Sequence, residues 1–435
     1  MYDAVVIGGG PAGYACALRV SRLGGKAAVI EKSGFGGTCT HRGCIPTKFL
    51  HASADFLRKS RKSEMFGIKS SAEFNYSECY RNMFRTVETL AKSVEFTLSK
   101  SNVEMHRGEG KIKGPGIVEV NGKALETKNI VVATGSKPMG LPGIPFDDFV
   151  LSSDTLIARD SLPSTLGIVG GGYIGCEFAS ILNEFGVKVT IAEALPRLLP
   201  FQDEEIVSVL SRAMGVSGIK AITGAKVEIK GGMHANGQKI EGEKILVAIG
   251  RTPNINETEM GMLGVNHTKK GIEVSAGMHA SAKGVYAIGD VAGKSMLAHS
   301  SYEEAFVAAS NIMGVHAEMD YSLVPECIFT FPEIAAVGKR EGNVGKFPFI
   351  ANSKAVILGE KQGLVKLWAQ NGIVVGGAMV GPHATDMISE IAVAVKNKVS
   401  VKSLADTIHP HPTLSEAIQE AARELAGKQL HGGTK

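Results

Sequence analysis

Short β-branched runs that break into glycine are the most regular pattern along the chain. AVVI (4–7) runs into three glycines and then into a helical pattern, PAGYACALRV (11–20). The same order returns in LGIVGGGYIGCEFASIL (166–182). Apolar runs bounded by turn residues read as strands, and longer apolar periodicity after a glycine turn reads as a helix. Three further runs close on small-residue turns: IVVATGSKP (130–138), ILVAIGRTP (245–253) and GVYAIGDVA (284–292). From about Cys327 the texture changes. FPFIANSKAVILG (347–359), GLVKLWA (363–369) and GIVVGGAMVG (372–381) read as strands, and DMISEIAVAVKNKV (386–399) and LSEAIQEAARELAG (414–427) as helices.

Alternation of strand, turn and helix predicts an α/β fold with two Rossmann-like dinucleotide-binding domains. Strands followed by helices predict a separate C-terminal α+β domain. Boundaries fall near 145, 258 and 323. Residues 1–145 and 259–323 then form one split domain, 146–258 a second inserted into it, and 324–435 the third. A chain of 435 residues is too long for one ordinary core, which agrees with several domains.

Composition narrows the function classes. At 44% hydrophobic and 21% charged residues, the chain is of the soluble globular class. The net charge of +4 is mild, and the basic cluster Arg58, Lys59, Arg61 and Lys62 reads as a solvated helix face, so nucleic-acid binding has no support. No apolar run reaches the roughly 18 residues of a membrane helix. The first apolar stretch meets glycine too early for a signal peptide, so no targeting extension is expected. Six cysteines, mostly scattered apart from one close pair, point to a reducing cytoplasm rather than a secreted disulfide framework.

The doubled motif carries chemistry. In Gly8-x-Gly10-x-x-Gly13 and Gly170-x-Gly172-x-x-Gly175, the first glycine permits a tight turn. The second lets a pyrophosphate approach the backbone, and the third lets helix and strand pack closely. The helix N-terminus faces the phosphates. Each copy is followed at equal spacing by an acid, Glu31 or Glu193, able to accept hydrogen bonds from a ribose diol. Two complete units imply two dinucleotide sites. The small-residue turns would line them, and Asp290 would offer a carboxylate to a sugar or ribitol hydroxyl, or cap the helix that follows.

GGTCTHRGCIPTK (36–48) holds Cys39 and Cys44 five positions apart. A zinc site needs a second close pair, which the sequence lacks, so no metal is expected. A structural staple is also disfavoured. On a regular helix the two Cα atoms would stand roughly 8–9 Å apart, beyond the span of about 7 Å that a disulfide tolerates. A bridge must distort the first helical turn, and strained bridges are easily reduced. Redox chemistry is the best reading. A helix N-terminus would favour a thiolate, as would nearby Arg42, although Arg42 is expected rather to face solvent. Lys48 follows Cys44 by four residues and would share its helical face.

TIHPHPTLSEAIQEA (407–421) offers His411 as an acid–base group. The His411–Pro412 bond could be cis and so fix the turn. Glu416 admits two readings: partner to the His411 imidazole, or the far half of a capping box begun by Thr413. His409 has no carboxylate at helix-start spacing.

Together GGTCTHRGCIPTK, the two glycine fingerprints, ATGSKP, AIGRTPN, YAIGDV with MLAH (296–299), and HPTLSE resemble the pyridine nucleotide–disulfide oxidoreductases over essentially the whole chain, most closely the dihydrolipoamide dehydrogenases among them. That resemblance implies FAD at the first fingerprint and NAD at the second. It implies a Cys39–Cys44 disulfide, with Cys44 facing the flavin and Cys39 exchanging with substrate. His411 would be the acid–base catalyst, Glu416 its partner, and Lys48 would pair with Glu177 beside the flavin.

The FAD set it implies is Gly8, Gly10, Gly13, Glu31, Lys32, Gly37, Thr38, Lys48, Gly110, Ala133, Thr134, Gly135, Asp290, Met296, Leu297, Ala298 and His299. The NAD set is Gly170, Gly172, Tyr173, Ile174, Gly175, Glu193, Val227 and Gly250. Glu193, with only Arg197 nearby, favours NAD because a 2′-phosphate would meet a like charge. The implied assembly is a homodimer that shares each active site between subunits. The implied partner is a lipoyl-bearing acyltransferase or a glycine-cleavage carrier protein. Rival readings are another NAD(P)H-dependent disulfide reductase and a noncatalytic redox sensor. Around Lys226–Lys244 and after Gly338 the chain is short for this family, which predicts trimmed hairpins or a missing surface helix.

Overall fold

A computed structural model of the chain describes residues 1–431; residues 432–435, the end of the expected third domain, lie outside it. AVVI forms the strand Ala4–Ile7 at the centre of a five-stranded parallel sheet, flanked by Ala27–Glu31 and Ile130–Val132. Its four residues are all buried, as expected of a parallel strand covered on both faces. Val285–Ala287 joins the outer edge beside Ile130–Val132, so a late segment completes an early sheet. The helix Pro11–Arg22 starts on proline, which suits a first helical position, and packs along the helix Ala298–Ile312.

The second sheet repeats the plan. Thr165–Val169 lies between Lys188–Ala192 and Lys244–Val247, all parallel, and feeds the helix Tyr173–Glu184. Each sheet therefore directs a glycine turn and a helix N-terminus to the carboxyl end of its central strand, where doubly wound folds bind ligands. Both helices begin without a side-chain cap, at Gly10 and Gly172, and neither has an acid in its first turn. Their first N–H groups remain free for an acceptor outside the helix.

Beyond Tyr321 stands a five-stranded antiparallel sheet, with Glu333–Gly338, Ile373–Gly381 and Leu364–Gln370 as its middle. The helices Ala384–Lys396 and Glu416–Leu425 cover it. FPFIANSKAVILG is not a strand as expected. Only Phe347 and Pro348 pair, after which the chain turns through a 3-10 segment into the helix Ser353–Ile357. Asn352 accepts from the Ala355 N–H and starts that helix, so a cap overrides the β-branched content. In the short stretch after Lys226, three strands of three residues form tight hairpins. Among the described residues no helix is long and apolar enough to cross a membrane.

Candidate active site

The two thiols sit on two different helices. Gly37–Arg42 carries Cys39, and Cys44 opens the helix Cys44–Ser60. Sequence spacing predicts one helix with a distorted first turn; the structure instead interrupts the helix at Gly43. A Cβ at Gly43 would lie 2.9 Å from the Thr38 carbonyl oxygen, so only glycine lets the second helix begin this close to the first. Thr47 Oγ1 donates to the Gly43 carbonyl at 2.6 Å and braces the break. Both sulfurs are free thiols, the reduced form of the pair. The hydrogen bond from Cys39 lowers Cys44 to about 7, with help from the Lys48 ammonium against the opposing effect of burial. The same bond, together with burial, pushes Cys39 up.

The THR triplet between the thiols is fully engaged. Thr40 is buried over Gly36, and the His41 ring contacts the Phe35 carbonyl at 3.0 Å. Arg42 is half-exposed but does not face solvent alone. Its Nε lies 3.3 Å from Asp154, on the short helix Ser153–Ile157 that follows the edge strand Val150–Leu151 of the second sheet.

Lys48 occupies the face of Cys44, and its Nζ lies 2.8 and 3.0 Å from the two carboxylate oxygens of Glu177. Glu177 belongs to the second fingerprint helix and is buried. It also accepts from the Phe329 N–H at 2.9 Å, and the Phe329 ring lies 4.3 Å from the Lys48 ammonium. Phe329 carried no signal in the sequence, because its role is a main-chain donor 152 residues away.

One continuous cavity of about 1270 Å³ joins these groups to both glycine turns. Cys39, Cys44, Lys48 and Glu177 border it, as do the residues expected at the two nucleotides, with three exceptions. Gly13 and Gly175 lie beneath it: a Cβ on either would stand 1.8 or 2.0 Å from the carbonyl oxygen of Gly8 or Gly170. His299 turns away and contacts the Pro325 carbonyl at 2.8 Å. The middle glycines behave differently. A Cβ at Gly172 would meet nothing within 4 Å, and at Gly10 only Gly37 Cα at 3.9 Å. Nothing in the protein requires glycine there, so the open space fits a group laid against the backbone. With two uncapped helix N-termini, this suits two pyrophosphates.

Glu31 and Glu193 end their strands in matching geometry. Each accepts from its own glycine loop, Glu31 from Gly9 N–H at 2.7 Å and Glu193 from Gly171 N–H at 2.5 Å. The second oxygen of each accepts from the loop just beyond, Ser33 N–H or Leu195 N–H, both at 2.7 Å. The acids thus shape the turn as well as border the cavity. Arg197 points to the Pro200 carbonyl rather than into the cavity. Asp290 is held by the Ser136 hydroxyl, and Ser136 in turn accepts from Arg251 Nε at 2.8 Å. Tyr173 is tethered by Gln202 Nε2 at 2.6 Å, and the same amide reaches Glu326 at 2.5 Å. Tyr14 and Tyr302 share a hydrogen bond at 2.7 Å, and both phenols are raised chiefly by burial, with the nearby thiols adding to it. Tyr302 gave no sign of this from sequence.

His411 and Glu416 do not border the cavity of their own chain. The His411–Pro412 bond is cis. His411 Nδ1 lies 2.9 Å from Glu416 Oε1, while Oε2 accepts from the Thr413 N–H at 2.8 Å. Both readings of Glu416 are thus partly realised. The capping box is incomplete, since the Thr413 hydroxyl donates to the Pro410 carbonyl instead of capping the helix. The His411 side chain is 68% exposed, with Nε2 free.

Comparison with known proteins agrees with this architecture. The family model described as pyridine nucleotide-disulphide oxidoreductase matches residues 2–305, and its dimerisation domain matches 324–422. The dihydrolipoyl dehydrogenase of Bacillus subtilis (strain 168) is 38% identical over 478 residues, covering 99% of each chain. That of Thermus scotoductus is 38% identical over 455 residues, covering 99% of this chain and 98% of its own. The crystal structure of LpdA from Mycobacterium tuberculosis superposes with a TM-score of 0.90 at 28% identity, over 97% of this chain and 99% of that one. The Cu(II) complex of the HOCl-induced flavoprotein disulfide reductase RclA from Escherichia coli gives 0.87 at 26% identity, over 97% and 98%. This chain belongs to the pyridine nucleotide–disulphide oxidoreductases, a family that works with FAD and a nicotinamide nucleotide and, through its dimerisation domain, as a homodimer.

Proposed function

We propose that the chain is a dihydrolipoyl dehydrogenase, oxidising a dihydrolipoyl group and reducing NAD. The observation that carries this reading is the Cys39–Cys44 dithiol, which opens onto the same cavity as both glycine turns with Lys48 and Glu177 beside it. Full-length relatives with that activity support the choice of substrate.

FAD and NAD, when bound, supply the two-electron acceptor chemistry that returns the thiol pair to its disulfide. Gly10 and Gly172 leave room for their pyrophosphates, and Glu31 and Glu193 stand where ribose hydroxyls would lie. In the oxidised pair, a substrate thiolate attacks Cys39 Sγ, the Cys39–Cys44 bond breaks, and Cys44 departs as thiolate. Its lowered proton affinity makes it the better leaving group. The second substrate thiolate then attacks the substrate sulfur held on Cys39. That step closes the lipoyl disulfide and expels Cys39, which takes up a proton.

His411 Nε2 is the base that receives the substrate protons, because Nδ1 is committed to Glu416. His411 lies off its own chain's cavity, so it serves the dithiol of the neighbouring subunit. The partner is a lipoyl-bearing acyltransferase or glycine-cleavage carrier, met in the cytoplasm. Steady-state oxidation of dihydrolipoamide with NAD by the flavin-loaded dimer tests the reading. Brisk glutathione reduction with no turnover of dihydrolipoamide overturns it.

A further inference from the structure

Two residues before His411, a second imidazole has both of its nitrogens occupied by acceptors. His409 Nε2 lies 2.7 Å from Glu390 Oε1, and Nδ1 lies 3.0 Å from the Thr407 carbonyl oxygen. A carbonyl oxygen has no hydrogen to give, so Nδ1 must carry one. A carboxylate oxygen likewise only accepts, so Nε2 carries the other. A ring with hydrogens on both nitrogens is an imidazolium. The His409 side chain is only 5% exposed, whereas that of His411, which has a single partner, is 68% exposed.

We propose that His409 is a positioning residue for His411 that donates from both ring nitrogens, tying the HPHP turn to the helix Ala384–Lys396 through Glu390. The charged and polar groups facing it are few. Glu390 comes from that helix, and Arg423 and Glu416 come from the helix Glu416–Leu425. The Thr407 carbonyl also accepts from Gln419, which fixes the lower end of the turn. The hydrogen bond to Glu390 is the largest influence on His409 and raises its proton affinity, against burial and Arg423. The His409 charge in turn helps keep Glu416 ionised. His409 therefore aims the turn that carries His411.

This inference rests on the assignment of His411 as the acid–base residue, but its test does not depend on the substrate. Nitrogen-15 NMR of histidine-labelled, flavin-loaded dimer, with His409 assigned by comparison with H409Q, should show both ring nitrogens of His409 protonated at a pH where His411 has become neutral. A single-hydrogen tautomer for His409 under those conditions overturns the inference, whatever the wild-type protein turns over. Kinetics give a second reading: His409→Gln should lower kcat for dithiol oxidation about tenfold or more with KM little changed, because the imidazole of His411 is no longer aimed, and an unchanged kcat overturns the positioning role. Absence of dihydrolipoamide turnover in the wild type would instead refute the functional reading and leave the NMR result standing.

Discussion

Glu177 grips Lys48 with both carboxylate oxygens, at 2.8 and 3.0 Å, and also receives the Phe329 N–H. One buried carboxylate thus joins the thiol helix, the second fingerprint helix and the entry to the antiparallel sheet. Removing it should leave an ammonium and a main-chain donor without partners. Glu177→Ala is expected to cost about 2 kcal/mol, discounted because Lys48 is one-third exposed. Denaturant unfolding of the flavin-loaded protein measures this; an unchanged midpoint would show the junction to be idle.

The Cys39 hydrogen bond is the main influence that brings Cys44 to about 7, and the same pair modulates it, Lys48 lowering it and Glu177 raising it. Lys48→Met should therefore shift the Cys44 titration to higher pH, and Glu177→Gln to lower pH. The thiolate-dependent long-wavelength absorbance of the NADH-reduced protein, followed against pH, reports both. Shifts of the same sign in the two variants would refute the assignment.

Glu304 is fully buried, accepts from Gly289 N–H at 2.5 Å and from Tyr321 at 2.7 Å, and is raised by burial to about 7. A raised carboxyl keeps its proton in the folded state while the unfolded chain releases it. Stability should accordingly fall as pH climbs from about 4.5 through 7, by up to about 3 kcal/mol. Glu304→Gln should remove that slope and exceed wild type in stability at pH 8, with little difference at pH 5. Thermal melts at the two pH values decide it.

Both Glu193 oxygens are engaged by main-chain donors, so the residue supports its loop as well as repelling a 2′-phosphate. Glu193→Gln should narrow the preference for NAD over NADP by about tenfold in kcat/KM, since a neutral amide no longer repels the phosphate. Glu193→Ala should raise the KM for both nucleotides, because Gly171 and Leu195 lose their acceptor. A variant that changed only the NADP value would show that the loop needs no such support.

Much of this was legible in the sequence because it is local. A glycine fingerprint, its acid and a thiol loop each lie within a few turns of chain, and their chemistry follows from spacing. Partners drawn from afar were not legible. Glu390 lies 19 residues before His409 on another helix, and Phe329 acts through its backbone. Arg42 finds Asp154 only once two separate sheets meet. His299 sits in a motif that lines the cavity, yet helical rotation turns its ring to Pro325. The reading of FPFIANSKAVILG as a strand erred for the opposite reason. There a single asparagine cap outweighed the bulk of Val356 and Ile357, which β-propensity had favoured.

The separation of His411 from the cavity of its own chain, on the proposed sharing of each site between subunits, carries a genetic consequence. A dimer assembled from one H411Q subunit and one C44S subunit would contain one site with both lesions and one with neither. Two alleles that are each inactive alone would complement when co-expressed, and the mixed dimers would recover about half the wild-type rate per dimer. Two lesions on the same side of the exchange, such as C39S with C44S, would never do so. On the proposed shared site, allele pairs would sort into two groups according to which wall they damage.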